Sequence, residues 1–500
     1  MGTFPYRQYD GVGLAELIQT KQVKKEEVLD SAIIEIEKWN PSLRAVIHTM
    51  YDQAKRTIEK DETGTFAGVP ILLKDITQEI KGEPLTSGSK AFASYKAKQD
   101  SEYVRRVRNT GAVFVGQTNV PEFALMGITE PAFHGPTRNP WNMEYTPGGS
   151  SGGSGAAVAS GMVPIAGAND GGGSIRIPAA YCGLFGMKPT RGRTPAGPTH
   201  GRHWQGASVD HVLTRTVRDS AAMLDEISGY EKGNAFSVCP HPLRYMQYSQ
   251  TPIESPLTIA FSTTSPLGTE VDDDCKEAVL TLMKKLEKEG HHVIEKQALV
   301  DGKALAKSYL TMYFGEVAAT LYNAEEQLGK KVTRHDVEPA TWLLHLMGKA
   351  TSAQEFVLSL REWDKAAFQM ESFFEQYDFY VTPTTAFPPA KIGELEQSKG
   401  EKMLISLVNQ FGVAHLLKKV GFVDKIAETS LLRTPFTQLA NLTGQPAMSV
   451  PVHMTKAGLP CGVQFMAAKG KEDRLYQLAG MLEKTKLWVD TTKNPTILNK

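Results

Sequence analysis

Residues 146–190 read TPGGSSGGSGAAVASGMVPIAGANDGGGSIRIPAAYCGLFGMKPT and contain two glycine-flanked serines, Ser150 and Ser174. Taken alone, the tract GGSSGGSG is typical of a flexible linker. Here it continues directly into AAVASGMVPIA, whose apolar residues predict a buried helix followed by a buried strand. The stretch is therefore predicted to belong to the core of the fold rather than to a tether.

A second glycine row leads into Ser174 and the apolar segment SIRIPAA. Glycine lets a ligand come close to the backbone, and a row of backbone N–H groups suits the binding of an anion. Ser174 ends this row, at the place where a nucleophile would belong. The row therefore predicts an anion hole beside a nucleophilic serine.

Charge and cysteine usage exclude several classes of function. The chain has 55 Lys plus Arg against 55 Asp plus Glu, so it carries no electrostatic footprint for nucleic acid or for an anionic membrane. The cysteines form no CxxC pair and predict reduced thiols in a cytoplasmic protein. They are Cys182, Cys239, Cys275 and Cys461. With no signal-peptide pattern and no apolar run of spanning length, the chain is expected to be soluble.

Helical and strand-like patterns alternate along the chain and predict an α/β protein with helices on both sides of a sheet. One predicted helix ends before Asn40-Pro41, and another covers residues 213–227, LTRTVRDSAAMLDEI. Residues 403–433 carry further amphipathic patterns, which either pack on the body, cover a pocket or contact a partner. No shift in composition divides the chain into independent domains.

Lys74 interrupts the apolar strand predicted over Gly68–Ile76, GVPILLKDI. A lysine at a strand end commonly extends its amine to water. The alternative is a buried amine, because loss of solvation lowers the pKa of a lysine and makes it a usable base. The segment alone leaves both interpretations open.

Rival motifs fit the sequence less well. Gly148-Gly149-Ser150-Ser151-Gly152 matches the G-x-S-x-G elbow, but PWNMEYTP rather than an apolar strand precedes it. Neither glycine cluster has the lysine of a P-loop. His200 and His203 lack the further ligands of a zinc site. Cys182 has no neighbouring histidine and is interpreted as a small buried residue, although a thiol amidase stays an alternative.

Several long segments, in order, resemble the hallmark segments of the amidase signature family. They are GVPILLKDI, GQTNVPEFA, HGPTRNPWN, GGSSGGSGAAVASG, GANDGGGSIRIPAAYCGLFGMKPTRGR, NLTGQPAMSVPV and GLPCGVQFMAA. Within that family the pattern is most similar to the 6-aminohexanoate-cyclic-dimer hydrolase branch. The resemblance implies the amidase signature fold, a single large domain with a mixed twisted sheet and helices on both faces.

The same resemblance implies how the chain is divided. Residues 1–60 would form an N-terminal helical segment packed on the core, and residues 61–490 the amidase signature domain. Within that domain, residues 68–220 would hold the motif core. Residues 256–490 would complete the sheet and the pocket, with loops around 125–145, 195–210 and 303–350 setting substrate preference.

The family uses a Ser–cis-Ser–Lys triad, and each member has a match here. Ser174 of GGGSIR matches the acylated nucleophile, Ser150 of GGSSGG the bridging serine, and Lys74 of LLKD the base. The implied oxyanion hole consists of backbone N–H groups. They belong to Gly171, Gly172, Gly173 and Ser174.

One departure from the family concerns the loop GANDGGGS, where members often have GTDTGGS. Gly171 replaces a residue with a side chain, which keeps the backbone donors available and predicts a looser loop. Asp170 and Arg176 are predicted to pair and to brace this loop, in a structural role.

The predicted function is hydrolysis of a small linear or cyclic amide through an acyl-serine, with no metal and no organic cofactor. One alternative is the A subunit of a tRNA-dependent amidotransferase, which would require partner subunits. Another is a lipid-amide hydrolase, for which only residues 403–433 offer a membrane-facing element. A non-catalytic binding module is a third, and the complete triad argues against it. A homodimer is left open by the sequence.

Overall fold

A mixed sheet of eleven strands organises the part of the chain that the structure describes. This computed structural model describes residues 4–60, 63–396 and 428–498, together with positions 400, 403, 405, 408 and 410. The strands are β1 (Val46–Thr49), β2 (Pro70–Lys74), β3 (Val113–Thr118), β4 (Ile165–Asp170), β5 (Phe185–Lys188), β6 (Val209–Thr214), β7 (Thr258–Phe261), β8 (His292–Glu295), β9 (Phe379–Pro383), β10 (Ala447–Met454) and β11 (Pro460–Met466).

The strand order β1-β3-β2-β4-β6-β5-β10-β11-β9-β7-β8 mixes parallel and antiparallel neighbours. β2 lies parallel to β3 and β4, whereas β4 pairs antiparallel with β6. β10 pairs antiparallel with both β5 and β11, so the C-terminal strands continue the sheet that the N-terminal half begins. The prediction of one large α/β domain with a mixed sheet is confirmed.

Helices cover both faces of this sheet. They are α1 (Gly11–Gln19), α2 (Lys25–Leu43), α3 (Tyr51–Ile58), α4 (Glu102–Arg108), α5 (Gly152–Ser160), α6 (Arg176–Cys182), α7 (Val217–Ile227), α8 (Tyr245–Gln250), α9 (Asp273–Lys288), α10 (Gly302–Leu328), α11 (Pro339–Lys349), α12 (Ala353–Phe374), α13 (Gln438–Thr443), α14 (Glu472–Glu483) and α15 (Pro495–Leu498).

Two hydrophobic clusters occupy opposite faces of β2. Ile71 and Leu73 belong to one cluster and Leu72 to the other, as the two-residue period of a strand requires. All five residues of β2 are buried. A strand that is covered on both faces consists of a continuous run of apolar residues, which is why GVPILL could be identified as a strand from the sequence.

Helix α5 is built almost wholly from glycine, alanine and serine, and all of its residues are buried. It ends at Gly161, whose φ of 82° lies in the left-handed region that favours glycine. Small side chains let α5 pack closely on β4. The linker interpretation of GGSSGGSG is therefore wrong.

Two predicted boundaries are also wrong. Helix α2 continues through Pro41 to Leu43, because the Asn40 side chain bonds both backbone groups of Val46 and stabilises the turn beyond the helix. The helix predicted over residues 213–227 begins only at Val217, because Leu213 and Thr214 pair with β4 as the end of β6. Most of the amphipathic stretch 403–433 lies outside the described residues.

A buried ion pair connects the segment after β5 to the start of α14. Arg193 Nε lies 3.2 Å from Glu472 Oε1, and the two side chains are 4% and 0% exposed. Thr190 N also donates to Glu472 Oε1, at 2.9 Å. Burial alone would raise the pKa of Glu472, but Arg193 and these hydrogen bonds hold it below its ordinary value.

Glu472→Gln is expected to lower the free energy of unfolding by roughly 3–5 kcal/mol, since it leaves the Arg193 charge buried without its partner. Urea titration followed by circular dichroism measures the change. The matched control is Glu289→Gln, which breaks an exposed pair with Lys285 and is expected to cost under about 0.5 kcal/mol. Equal costs for the two variants would contradict the stabilising role of the buried pair.

Candidate active site

Lys74, the last residue of β2, has a fully buried side chain. Its Nζ donates to Ser150 Oγ at 2.8 Å and to the backbone oxygen of Asn169 at 3.3 Å. Its backbone N–H donates to Gln78 Oε1 at 2.8 Å. The amine therefore points into the protein, and the interpretation of Lys74 as a solvent-reaching strand end is wrong.

Burial lowers the pKa of Lys74 to about 7, against the opposing attraction of Asp210 and Asp170. Removing an ammonium group from water disfavours its charged form, whereas nearby carboxylates favour it. A large share of the Lys74 amine is therefore uncharged at neutral pH. An uncharged amine at this position has a lone pair with which to accept a proton.

Ser150 follows a cis peptide bond from Gly149, and its side chain is 1% exposed. Gly149 is required there because a Cβ would lie 2.6 Å from the backbone oxygen of Ile128. Ser174 lies between Gly173 and α6 and is partly exposed. Ser150 and Ser174 both line one cavity, so the structure places the two serines in the same wall.

The glycine row before Ser174 is closely covered by other side chains. A Cβ on Gly171 would lie 2.9 Å from the Trp204 ring, and a Cβ on Gly172 would overlap the Tyr309 hydroxyl. A Cβ on Gly173 would overlap Thr437. The expectation of a looser loop at Gly171 is wrong, because Trp204 fills the space that a side chain would occupy.

The predicted oxyanion hole needs one correction. The backbone N–H of Gly173 donates to Asp170 Oδ1 at 2.7 Å, so this donor is already engaged and is not directed at a substrate. Gly171, Gly172 and Ser174 line the cavity, and Gly173 does not appear in its wall. The backbone donors available to an oxyanion are therefore to be sought at Gly171, Gly172 and Ser174.

Asp170 and Arg176 pair as predicted, and both side chains are fully buried. Arg176 donates to both carboxylate oxygens of Asp170 at 2.9 Å. It also donates to Asn441 Oδ1 at 2.6 Å and to Gln464 Oε1 at 2.5 Å. Burial would raise the pKa of Asp170, but Arg176 holds it well below its ordinary value. The pair thus braces the glycine loop against the C-terminal part of the chain.

The serines open into a cavity of about 830 Å³. Aromatic and aliphatic side chains form most of its wall, with a few charged groups such as Glu79 and Glu316. The predicted regions 125–145, 195–210 and 303–350 all contribute lining residues. The sequence analysis did not foresee the part of the wall made by Leu85, Phe92, Tyr95 and Phe123. Ile405 and residues 429–433 also line the cavity, and they belong to the stretch 403–433 for which covering a pocket was one of the alternatives.

The rival sites have no comparable arrangement. Within the described part of the chain, no group of three or more His, Cys, Asp or Glu is placed to hold a metal ion. Cys182 is buried, and burial raises the pKa of its thiol, as expected of a packed residue. No helix in the described ranges is long and apolar enough to cross a bilayer.

The chain is similar to known proteins in both sequence and structure. The family model for amidases matches residues 27–476. A 6-aminohexanoate-cyclic-dimer hydrolase of Pseudomonas sp. is 36% identical over 500 residues, covering 98% of this chain and 97% of that protein. The hydrolase of the same name from Paenarthrobacter ureafaciens matches to the same extent. A solved structure of a 6-aminohexanoate cyclic dimer hydrolase complexed with substrate aligns with a TM-score of 0.91 and 33% identity, covering 99% of this chain and 100% of that one.

Gly171→Ala is expected to destabilise the fold by roughly 1–3 kcal/mol, because the new methyl group would press on the rigid Trp204 ring. In a Trp204→Leu background the same substitution should cost clearly less, since the ring is gone. A double-mutant cycle of urea unfolding midpoints measures the coupling. Strictly additive costs would contradict the packing of Trp204 against the glycine row.

Proposed function

The chain belongs to the amidase family, and we propose that it hydrolyses a small linear or cyclic carboxamide through an acyl-serine intermediate. It is an amide hydrolase acting on C–N bonds other than peptide bonds. The finer proposal assigns the nucleophile to Ser174, the proton relay to Ser150 and the base to Lys74. The observation that carries it is the 2.8 Å contact between a buried amine and Ser150 in the wall of the cavity that also holds Ser174.

The first step is proton transfer from Ser174. A serine hydroxyl is a weak nucleophile and needs a base. Uncharged Lys74 takes the proton of Ser150 as Ser150 takes that of Ser174, and Ser174 Oγ attacks the amide carbonyl. The 2.8 Å separation of Lys74 Nζ and Ser150 Oγ suits transfer in either direction, since only the hydrogen moves.

Negative charge then develops on the carbonyl oxygen. The backbone N–H groups of Gly171, Gly172 and Ser174 are proposed to hold it, and loss of one such donor typically costs about 3–4 kcal/mol of barrier. The proton returns through Ser150 to the leaving nitrogen, which departs as an amine. Water, activated by the same relay, hydrolyses the ester on Ser174 and restores the enzyme.

The cavity supports a small amide as the substrate. Its volume of about 830 Å³ lies in the range of pockets that enclose small ligands, and its wall is mainly apolar. The relatives named for hydrolysis of the 6-aminohexanoate cyclic dimer are similar over almost their whole length. Amides of 6-aminohexanoate, linear and cyclic, therefore head the panel to be screened, followed by aliphatic and aromatic amides.

Ser174 is expected to carry the covalent adduct of a phenylmethanesulfonyl reagent, located by mass spectrometry of peptides. Ser174→Ala should abolish both labelling and amide turnover, because no other group is proposed to attack the carbonyl. Ser151→Ala serves as the neighbouring control and should retain substantial activity. The reverse pattern would show that the wrong serine has been assigned, and labelling of Ser174 without turnover of any amide would favour a partner-dependent role.

Activity should rise with pH through about 7 and then level off, because Lys74 acts as a base only when uncharged. Its pKa is lowered to about 7, so the uncharged, active form is lost as the pH falls below that value. Above pH 8 nearly all of the Lys74 amine is in this form. The measurement is the pH profile of kcat/KM for the best amide of the panel. Lys74→Ala should abolish turnover, and a flat profile between pH 5 and 8 would contradict the assignment of the base.

A further inference from the structure

Gln78 is a buried side chain that joins three strands beside the proposed base. It follows Lys74 by four residues and is 0% exposed. Its Oε1 accepts the bond from the Lys74 backbone N–H at 2.8 Å. Its Nε2 donates to the backbone oxygen of Ala168 on β4 and to Asp210 Oδ1 on β6, each at 3.2 Å. One amide therefore connects the end of β2 to the next two strands of the sheet.

This amide stands where the ladder between β2 and β4 would have its next hydrogen bonds. Leu72 pairs in parallel with Ala166, and the same register would bring Lys74 opposite Ala168. Here the Lys74 N–H donates to Gln78, and Gln78 donates to the Ala168 oxygen. A side-chain amide offers the same kinds of donor and acceptor as a peptide unit. Gln78 therefore satisfies both backbone groups at the point where the two strands stop pairing.

Strand β4 leaves room for this amide at Gly167. A Cβ there would lie 2.0 Å from Gln78 Oε1, well inside van der Waals contact. Gly167 pairs with Val212 of β6 and is not among the glycines of positive φ, so its backbone does not require glycine. Glycine weakens a strand interior and often marks the close approach of another group. At Gly167 that group is the Gln78 amide.

Asp210 fixes which way the amide points. Its Oδ1 also accepts from Thr77 Oγ1 at 2.7 Å, so one carboxylate oxygen holds two successive residues of the turn after β2. An ionised carboxylate only accepts hydrogen bonds, which directs Nε2 of Gln78 to Asp210 and Oε1 to Lys74. Thr77 has a φ of 63°, in the left-handed region that a β-branched residue rarely adopts. Backbone strain of this kind persists only where surrounding contacts hold it, and it is concentrated at functional sites.

We propose that Gln78 is a positioning residue for Lys74. It fixes the last backbone N–H of β2, and from that point the Lys74 side chain runs to place Nζ 2.8 Å from Ser150 Oγ. Proton transfer needs the heavy atoms within about 2.6–3.2 Å, so a small shift of the strand end breaks the relay. Gln78 is not among the described residues that form the cavity wall, so it acts on the base and not on substrate binding. The inference rests on the proposed triad and adds the residue that holds its base.

The test is Gln78→Met, which keeps the length of the side chain and removes all three hydrogen bonds. The kcat for the best amide of the panel is expected to fall by roughly 10- to 100-fold, since an offset of about 1 Å at a reacting group has an effect of this size. KM should stay within about twofold, because the cavity wall is unchanged. Labelling of Ser174 by phenylmethanesulfonyl fluoride should slow by a similar factor, because it also requires deprotonation of the serine. A role in stability alone would leave the kcat of the folded variant unchanged.

Gln117→Met is the matched control. Gln117 lies on β3, on the other side of β2, and is equally buried. Its side-chain amide has no hydrogen-bond partner within the described ranges, so its replacement should leave kcat and KM at the wild-type values. Gly167→Ala is a second variant, which displaces the Gln78 amide without altering it and should lower kcat in the same way.

Circular dichroism shows which variants fold. A wild-type kcat in folded Gln78→Met, or an equal loss in Gln117→Met, would overturn the inference. Where Gln78→Met does not fold, a wild-type kcat in Gly167→Ala overturns it. A wild-type protein that hydrolyses no amide of the panel and is not labelled at Ser174 would count against the proposed function instead.

Discussion

The site depends on an amine that has been taken out of water. The pKa of Lys74 falls from the 10.5 of a free lysine to about 7, chiefly through burial, which corresponds to about 5 kcal/mol at 1.36 kcal/mol per unit. Because the folded pKa is the lower one, this cost applies in full below pH 7 and vanishes above about pH 10.5. The apolar run of β2, covered on both faces of the sheet, is what holds the side chain in place against that cost.

A second buried charge fixes the other half of the site. The glycine loop would be mobile by composition, yet Asp170 accepts bonds from the Gly173 and Ile175 backbone and from Arg176. Arg176 in turn reaches Asn441 and Gln464, which lie far along the chain. The loop that carries Ser174 is therefore positioned by the C-terminal part of the protein. This explains why the motif core of residues 68–220 and the C-terminal part of the described chain form one domain.

Much of this arrangement was predictable and some was not. Runs of apolar residues identified β2, α5 and β4, because burial on all sides leaves a continuous apolar stretch in the sequence. The meeting of Lys74 with Ser150 was predicted only through family resemblance, since no local pattern encodes a contact across 76 residues. The engaged N–H of Gly173 and the Trp204 ring above Gly171 were missed. Both follow from tertiary contacts that a glycine row cannot reveal. β6 was missed because its residues run without a break into an amphipathic helix, and only pairing with β4 separates the two elements.

The carboxylates around Lys74 decide how strong a base it can be. Burial raises the pKa of Asp210 to about 6, against hydrogen bonds from Thr77 and Gln78, so this group is mostly ionised at neutral pH. Its charge opposes the effect of burial on Lys74, as does that of Asp170. Without them the amine would be uncharged over a wider range of pH, but it would bind a proton from serine more weakly. Catalysis by proton transfer is most effective when the pKa of the base lies near the working pH.

Gln78 connects Lys74 and Asp210 directly, because its side chain accepts a hydrogen bond from the Lys74 backbone and donates one to Asp210. The pKa of Lys74 near 7 thus reflects two opposing effects: burial at the end of β2 lowers it, and the charge of the neighbouring Asp210 raises it. Neither effect alone would leave Lys74 suited to accept and return one proton.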